Sequence, residues 1–250
     1  MGRPLVIAHR GASAARPENT LAAYRRALAD GADGVECDVR LTRDGHLVCV
    51  HDRRVDRVSD GRGRVSRMTL AQLRDLDFGS WHDAGEPAGV ATLDELLDVA
   101  GDAGRPVRLL VETKHPSRYG AAVERALHAA LTRRGLVGDR VGEVRVTAMS
   151  FAPTAVRRVR QLLPGVPTVQ LLDLLPPLLR GGRVPFAAPI AGPSVKLLGS
   201  RPGLAAALRA AGKRVYVWTV NTDAELDMAL AQRVDAVITD RPEYVRARLR

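Results

Sequence analysis

Val35-Glu36-Cys37-Asp38-Val39-Arg40, followed beyond Arg43-Asp44-Gly45 by His46-Leu47-Val48-Cys49-Val50-His51-Asp52, is the stretch on which the reading of this chain turns. Both arms are rich in β-branched and apolar residues, and the Asp-Gly pair between them is a hairpin signal. With Asp44 and Gly45 as a two-residue loop, Arg43 opposes His46, Leu41 opposes Val48, Val39 opposes Val50 and Asp38 opposes His51. Opposed side chains share a face at about 5 Å, and the two-residue period of a strand adds Glu36 to that face. Two hard oxygen donors and an imidazole then converge, which suits metal-assisted hydrolysis. A register shift of one residue would undo the convergence. The plain alternative is a solvated hairpin with charged residues on its outer face. The same register puts Cys37 and Cys49 on opposite faces, so no disulfide is expected, and each reads as a small buried apolar residue.

Outward from the hairpin, other apolar runs also end in polar residues of chemical interest. Leu5 to Ala8 runs into His9-Arg10-Gly11, then Arg16-Pro17-Glu18-Asn19-Thr20, and Val107 to Val111 runs into Glu112-Thr113-Lys114. Glu112 and Lys114 lie two apart and share a face. The candidate parallel strands are Leu5 to Ala8, Gly34 to Asp38, Val107 to Glu112, Val144 to Met149, Thr168 to Leu171, Ile190 to Lys196, Arg214 to Trp218 and Ala236 to Thr239, eight in all. Between them lie amphipathic stretches at Thr20 to Asp30, Thr92 to Ala103, Arg118 to Arg134, Pro153 to Leu163, Gly203 to Ala211 and Ala224 to Gln232. This alternation predicts an α/β fold with right-handed crossovers. The sixth unit, Leu174 to Pro189, is rich in Pro and Gly, and its helix is expected to be short or missing. Arg53 to Val90 breaks the alternation and is too long for a simple loop.

The composition agrees: 250 residues, 46% hydrophobic and 26% charged, describe one globular domain. No apolar run approaches the roughly 20 residues that span a bilayer. The N-terminus enters the first strand at once, so no signal peptide and a cytoplasmic location are expected. The net charge of +10 is carried almost wholly by arginine, lysine occurring only at 114, 196 and 213. These arginines are dispersed, without zinc spacing or an aromatic-interleaved basic strand, so the field reads as attraction for small anions rather than a nucleic-acid interface.

In order along the chain, HRG, PENT, ECDVRLTRDGHLVCVHD, ATLDELL, VETK, VWTVN and DAVITDRPE together resemble the glycerophosphodiester phosphodiesterase family. The resemblance covers most of the chain. It implies a (β/α)8 TIM barrel spanning 1–250, with a small insertion after strand 2 at about 53–90 that covers part of the site mouth. In such barrels the site lies at the carboxyl ends of the strands, where His9-Arg10, Glu36, Asp38, Glu112, Lys114, Ser150-Phe151, Trp218 and Asn221 fall. The resemblance further implies hydrolysis of a glycerophosphodiester to sn-glycerol 3-phosphate and an alcohol. Glu36, Asp38 and Glu112 would hold one divalent cation, Ca2+ or Mg2+, while Arg10 and Lys114 bind phosphate. His9 would act as base and His51 as acid, and Trp218 would form a pocket wall rather than plain core. Glu18 is a candidate for orienting Arg10 or His9, its plain alternative being a local helix cap. His46, His82, His115 and His128 read as structural or surface residues. A lysophospholipase D-like enzyme and a noncatalytic phosphate-binding barrel are the alternatives; few aromatics and no membrane-surface helix disfavour the first. The expected partner is a small-molecule glycerophosphodiester, with no nucleic acid, no stable membrane association, and a monomeric or homodimeric chain.

Overall fold

The inward and outward faces of the strands carry different residues, and this alternation builds the protein. A computed structural model describes residues 2–137, 143–174 and 185–250. Strands β1 (Leu5–Ala8), β2 (Gly34–Leu41), β4 (Val107–Thr113), β5 (Val144–Ser150), β6 (Thr168–Leu172), β7 (Ile190–Pro193), β8 (Arg214–Val217) and β9 (Ala236–Thr239) run parallel, and β1 pairs with both β2 and β9, closing an eight-stranded barrel. Strand β3 (Leu47–Cys49) returns antiparallel on β2. Helices α1 (Leu21–Ala29), α2 (Leu70–Arg74), α3 (Leu93–Gly101), α4 (Ala122–Arg133), α5 (Pro153–Leu162), α6 (Val195–Ser200), α7 (Leu204–Ala210), α8 (Asp223–Ala231) and α9 (Pro242–Arg248) lie between or after the strands. This is the (β/α)8 barrel expected from the sequence.

Ile7, Leu110, Met149, Tyr216 and Ile238 fill the interior, while Leu109, Val111 and Val146 pack outward on the helices with Leu96 and Leu127. Burial on both faces is why these strands read as continuous apolar runs rather than alternating ones. Each fully buried leucine contributes about 1.5–3 kcal/mol. Where the interior rows reach the carboxyl end they turn polar: Ile7 is followed on its row by His9, and Leu110 by Glu112 and Lys114. The pairing of Asp38 with Glu112, and of Ala8 with Val35 and Thr239, brings His9, the carboxylates and Asp240 to one level.

The hairpin differs from the expected register. Val39 pairs with Cys49, Arg40 with Val48 and Leu41 with Leu47, and Thr42 N–H donates to His46 O, so the loop is three residues, Arg43-Asp44-Gly45, with Gly45 at φ 89°. The extra loop residue shifts every pair by one. Asp38 therefore meets Val50, whose N–H donates to the Asp38 carbonyl at 2.9 Å, and His51 is not its partner. Cys37 and Cys49 consequently share a face: both are buried free thiols in hydrogen-bonding contact within the helix-side core, not on opposite faces.

The sixth barrel strand, β7, ends at Pro193, not Lys196, because Ser194 caps α6 by accepting from Leu197 N–H at 3.1 Å. The sixth unit lies largely outside the described residues; in its described part Pro185–Ala187 forms one 3-10 turn. The segment 53–90 holds a 3-10 turn and α2, and gathers Val55, Val58, Val65, Leu73 and Phe78 with Val48 and Val50 into a small core of its own.

Candidate active site

Glu36, Asp38 and Glu112 are buried at 1%, 1% and 6% exposure, and one carboxylate oxygen of each lies within 4.8 Å of the others. Burial, then the charges of Asp38 and Glu112, push the Glu36 carboxyl well above its ordinary range. Burial and the Asp38 charge push Glu112 to about 7 against the pull of Lys114. Asp38 goes the other way: burial would raise it, but Arg10, Lys114, His51 and His9 together hold it below the usual carboxylate range. Three such carboxylates cannot all be ionised together without a compensating cation. Asp38 Oδ1 is also buried without a hydrogen bond, with Lys114 Nζ 3.3 Å away. An all-oxygen set with an orphaned oxygen and mutual repulsion fits a hard divalent cation.

The cations are fixed by the β1–α1 loop and the end of β4. Arg10 sits in the left-handed region at φ 56°, which lets its N–H reach Glu36 Oε2 at 3.0 Å while Nη1 reaches Glu18 Oε1 at 2.9 Å and Nε lies 3.0 Å from Asp38 Oδ2. Gly11 permits the turn: its φ is 83°, and a Cβ there would stand 2.6 Å from Ala23. Lys114 Nζ meets Glu112 Oε1 at 2.7 Å and lies 5.8 Å from the centre of the Phe151 ring. Phe151 stacks edge-on against Trp218 at 5.2 Å, and Trp218 Nε1 donates to Gly192 O at 2.7 Å. Trp218 thus borders the site together with Phe151.

Each histidine is oriented by an aspartate. His9 Nδ1 lies 2.7 Å from Asp240 Oδ1, which also accepts from Ser13 Oγ at 2.8 Å, while Asp240 Oδ2 accepts from Asn221 Nδ2 at 2.6 Å. Burial opposes ionisation of Asp240, but the bonds from His9, Ser13 and Asn221 hold it at about 2. His51 Nδ1 lies 2.8 Å from Asp52 Oδ1, and Arg40 donates to the His51 carbonyl through Nε at 2.9 Å and Nη2 at 2.6 Å. Arg40 therefore does what strand pairing was expected to do, anchoring His51 just past the end of β3. Burial, with Arg10 and Lys114, lowers the His51 pKa against Asp38 and Asp52. With Nδ1 engaged on both rings, Nε2 is the atom left to face a substrate, and neither has a partner among the described residues.

Glu18 makes no helix cap. It accepts from Arg10 and, through both oxygens at 2.8 Å, from Arg57 of the 53–90 segment, which in turn holds Asp52 at 2.7 Å. Thr20 caps α1, and Asn19, at φ 58°, instead donates to Asp38 Oδ2 at 3.1 Å. Sequence reasoning missed the roles of Asn19, Asp52, Arg57 and Asp240. Asp240 was within reach, since it follows a barrel strand that adjoins His9; Arg57 carries no such signal. His115 is tied to the buried Glu124 at 2.5 Å, His82 lies 3.3 Å from Ser13 O, and His46 is exposed beside Asp44.

A closed α/β barrel with acidic, basic and imidazole groups at the carboxyl rim is the architecture of a hydrolytic enzyme acting on an anion. The Glycerophosphoryl diester phosphodiesterase family model matches residues 9–244. The chain belongs to that family. It is 48% identical over 253 residues to the Mycobacterium tuberculosis "Probable glycerophosphodiester phosphodiesterase 1", covering 98% of this chain and 92% of the relative. It is 34% identical over 256 residues to the Bacillus subtilis glycerophosphodiester phosphodiesterase, covering 96% and 85%. Among solved structures, an Oleispira antarctica phosphodiesterase in complex with the product sn-glycerol-3-phosphate superposes with a TM-score of 0.82 at 26% identity, covering 98% of this chain and 96% of that one. The Agrobacterium tumefaciens glycerophosphodiester phosphodiesterase superposes at 0.79 with 28% identity, covering 98% and 100%.

Proposed function

We propose that the chain hydrolyses glycerophosphodiesters to sn-glycerol 3-phosphate and an alcohol, using one divalent cation and two histidines that divide the proton transfers. The observation that carries this is the meeting of three buried carboxylates within 4.8 Å, flanked by histidines whose Nδ1 atoms are each engaged by an aspartate. Glu36, Asp38 and Glu112 would hold Ca2+ or Mg2+, hard ions suited to oxygen donors. When bound, the cation stabilises charge developing on the phosphoryl oxygens. Arg10 and Lys114 bind the same anion, the first as a planar fork and the second as a point charge. Glu18 holds Arg10 in that pose, and Trp218 bounds the substrate on the apolar side.

Asp240 and Asp52 keep Nδ1 of their histidines engaged, so that Nε2 exchanges protons with the substrate. We assign His9 as base, taking the proton of the attacking oxygen, and His51 as acid, protonating the alcohol oxygen as its bond to phosphorus breaks. The attacking oxygen is water or the glycerol 2-hydroxyl; phosphorus NMR detection of a cyclic phosphate distinguishes them.

The first test is release of glycerol 3-phosphate from glycerophosphocholine and glycerophosphoethanolamine with Ca2+, Mg2+ or chelator. Metal-dependent release is expected, and no release with either ion would overturn the proposal. An aryl leaving group, which needs no proton, should restore turnover to His51→Ala and leave His9→Ala inactive; the reverse pattern exchanges the two roles. A monomeric or homodimeric chain is part of this proposal, and analytical ultracentrifugation tests it. A cytoplasmic location belongs to the same proposal, and cell fractionation checks it; among the described residues no helix is long and apolar enough to cross a membrane.

A further inference from the structure

Next to the carboxylate cluster, a cavity of about 290 Å³ opens between the end of β2, the 53–90 segment and the turn leading into α4. Its lining includes Arg40, Arg53, Arg64, Arg118 and Lys114, and no aspartate or glutamate. Lys114 is the lysine that pairs with Glu112 and Asp38, and Arg40 is the arginine that grips the His51 carbonyl. The cavity is therefore linked to the carboxylates through Lys114 and to the His51 backbone through Arg40. Among the described residues none of its four arginines forms a salt bridge, although Arg54 and Arg57 in the same segment are paired with Asp56, Asp52 and Glu18. Burial lowers the Arg40 pKa, and the positive charge of Arg53 adds to that against the attraction of Asp38. Lys114 and Arg40 already face the carboxylates, but Arg53, Arg64 and Arg118 bring three further positive charges to an open space with no salt-bridge partner among the described residues, which makes a site for an anion. A cationic choline or ethanolamine would meet repulsion there.

We propose that this cavity is the leaving-group subsite and that it takes glycerophosphodiesters whose alcohol carries a phosphate of its own. The proposal rests on the phosphodiesterase reading of the site. Arg40, which lines the cavity, holds the backbone carbonyl of His51, and on this link the alcohol protonated by His51 is assigned to the cavity. The cavity is separate from the recess lined by His9, Arg10, Asn221 and Asp240 at the other flank. A phosphate monoester carries up to two negative charges and three acceptor oxygens, and guanidinium forks match it bidentately. Arg64 and Arg118 are exposed side chains on irregular segments outside the catalytic constellation, so they tune affinity without touching the reacting atoms.

The test compares kcat/KM for glycerophosphoglycerol phosphate, glycerophosphoglycerol and glycerophosphocholine, in the wild type and in a double variant carrying Arg64→Gln and Arg118→Gln. The first two substrates differ only by the terminal phosphate. Charge-assisted contacts predict a preference of about tenfold or more for the phosphorylated substrate, largely lost in the double variant, with glycerophosphoglycerol turnover within about twofold of wild type. Equal or slower turnover of the phosphorylated substrate, or an equal loss on all three in the variant, would overturn the proposal. Calorimetric titration with inositol monophosphate separates the two levels. If no diester is cleaved but binding is present and weakened in the variant, the subsite stands and the catalytic reading fails. Turnover without preference and without variant-sensitive binding removes the subsite alone.

Discussion

Asp38 touches Arg10, Lys114 and Asn19 at once, and a change of charge in the site is felt there and at its neighbour Glu112. Glu112, pushed to about 7 by burial and by Asp38, is largely protonated below that pH and must lose its proton to bind a cation. Metal affinity should therefore rise as pH increases through about 7, with protons released from Glu112 and from Glu36, whose carboxyl is raised as well. Calorimetry in buffers of different ionisation heat measures that release, and an affinity flat between pH 6 and 8 would remove Glu112 from the ligand set. His51→Ala should cost about 10²–10⁴ in kcat with metal affinity preserved; a loss below tenfold would end its acid–base role. Asp240→Asn keeps the shape but removes the anion engaging His9, so kcat should fall about tenfold or more with KM little changed. A kcat within twofold of wild type would show that His9 does not depend on Asp240. Glu36, Asp38, Glu112, His9 and Arg10 were legible as polar residues ending apolar runs. Asn19 was not, because its side chain serves Asp38 only through a left-handed backbone turn that propensity does not reveal.

Among the elements, the β2–β3 hairpin shows how local reading can reach a site by the wrong path. A two-residue loop would have set His51 opposite Asp38; the three-residue loop shifts the register by one, and Arg40 anchors His51 instead. Asp44 helps define that loop by accepting from Thr42 Oγ1 at 2.6 Å and from Leu70 N–H at 3.1 Å, a contact 26 residues away in sequence. Gly45 has open space where a Cβ would go, so Gly45→Ala should cost only the left-handed backbone strain, about 1–2 kcal/mol. Urea unfolding measures it, and an unchanged midpoint would mean that the loop relaxes to another turn. The ends of β1, β4 and β9 were read to within a residue, since parallel strands buried on both faces stand out as apolar runs, while β2 runs three residues past its expected end at Asp38. The sixth parallel strand, β7, was overrun because Ser194-Val195-Lys196 continues the apolar pattern while Ser194 caps a helix.

For the whole molecule, the net charge of +10 should draw anionic diesters toward the rim, so kcat/KM should fall several-fold between about 0.02 and 0.3 M salt as screening shortens the field. Independence from salt would confine the attraction to Arg10, Lys114 and their near neighbours. The α/β alternation and the polar residues that end the apolar runs followed from the chain alone, because two-sided burial and the two-residue period are written in consecutive residues, while the barrel was implied by the family resemblance of the ordered motifs. The closing of β1 on β2 and β9, the bracing of Asp52 and Glu18 by Arg57, the pairing of His9 with Asp240 across 231 residues, and the grouping of unpaired arginines beside Lys114 came from the fold. These are contacts between distant segments, and pairwise distance between such segments is a property of packing that no local pattern of side chains encodes.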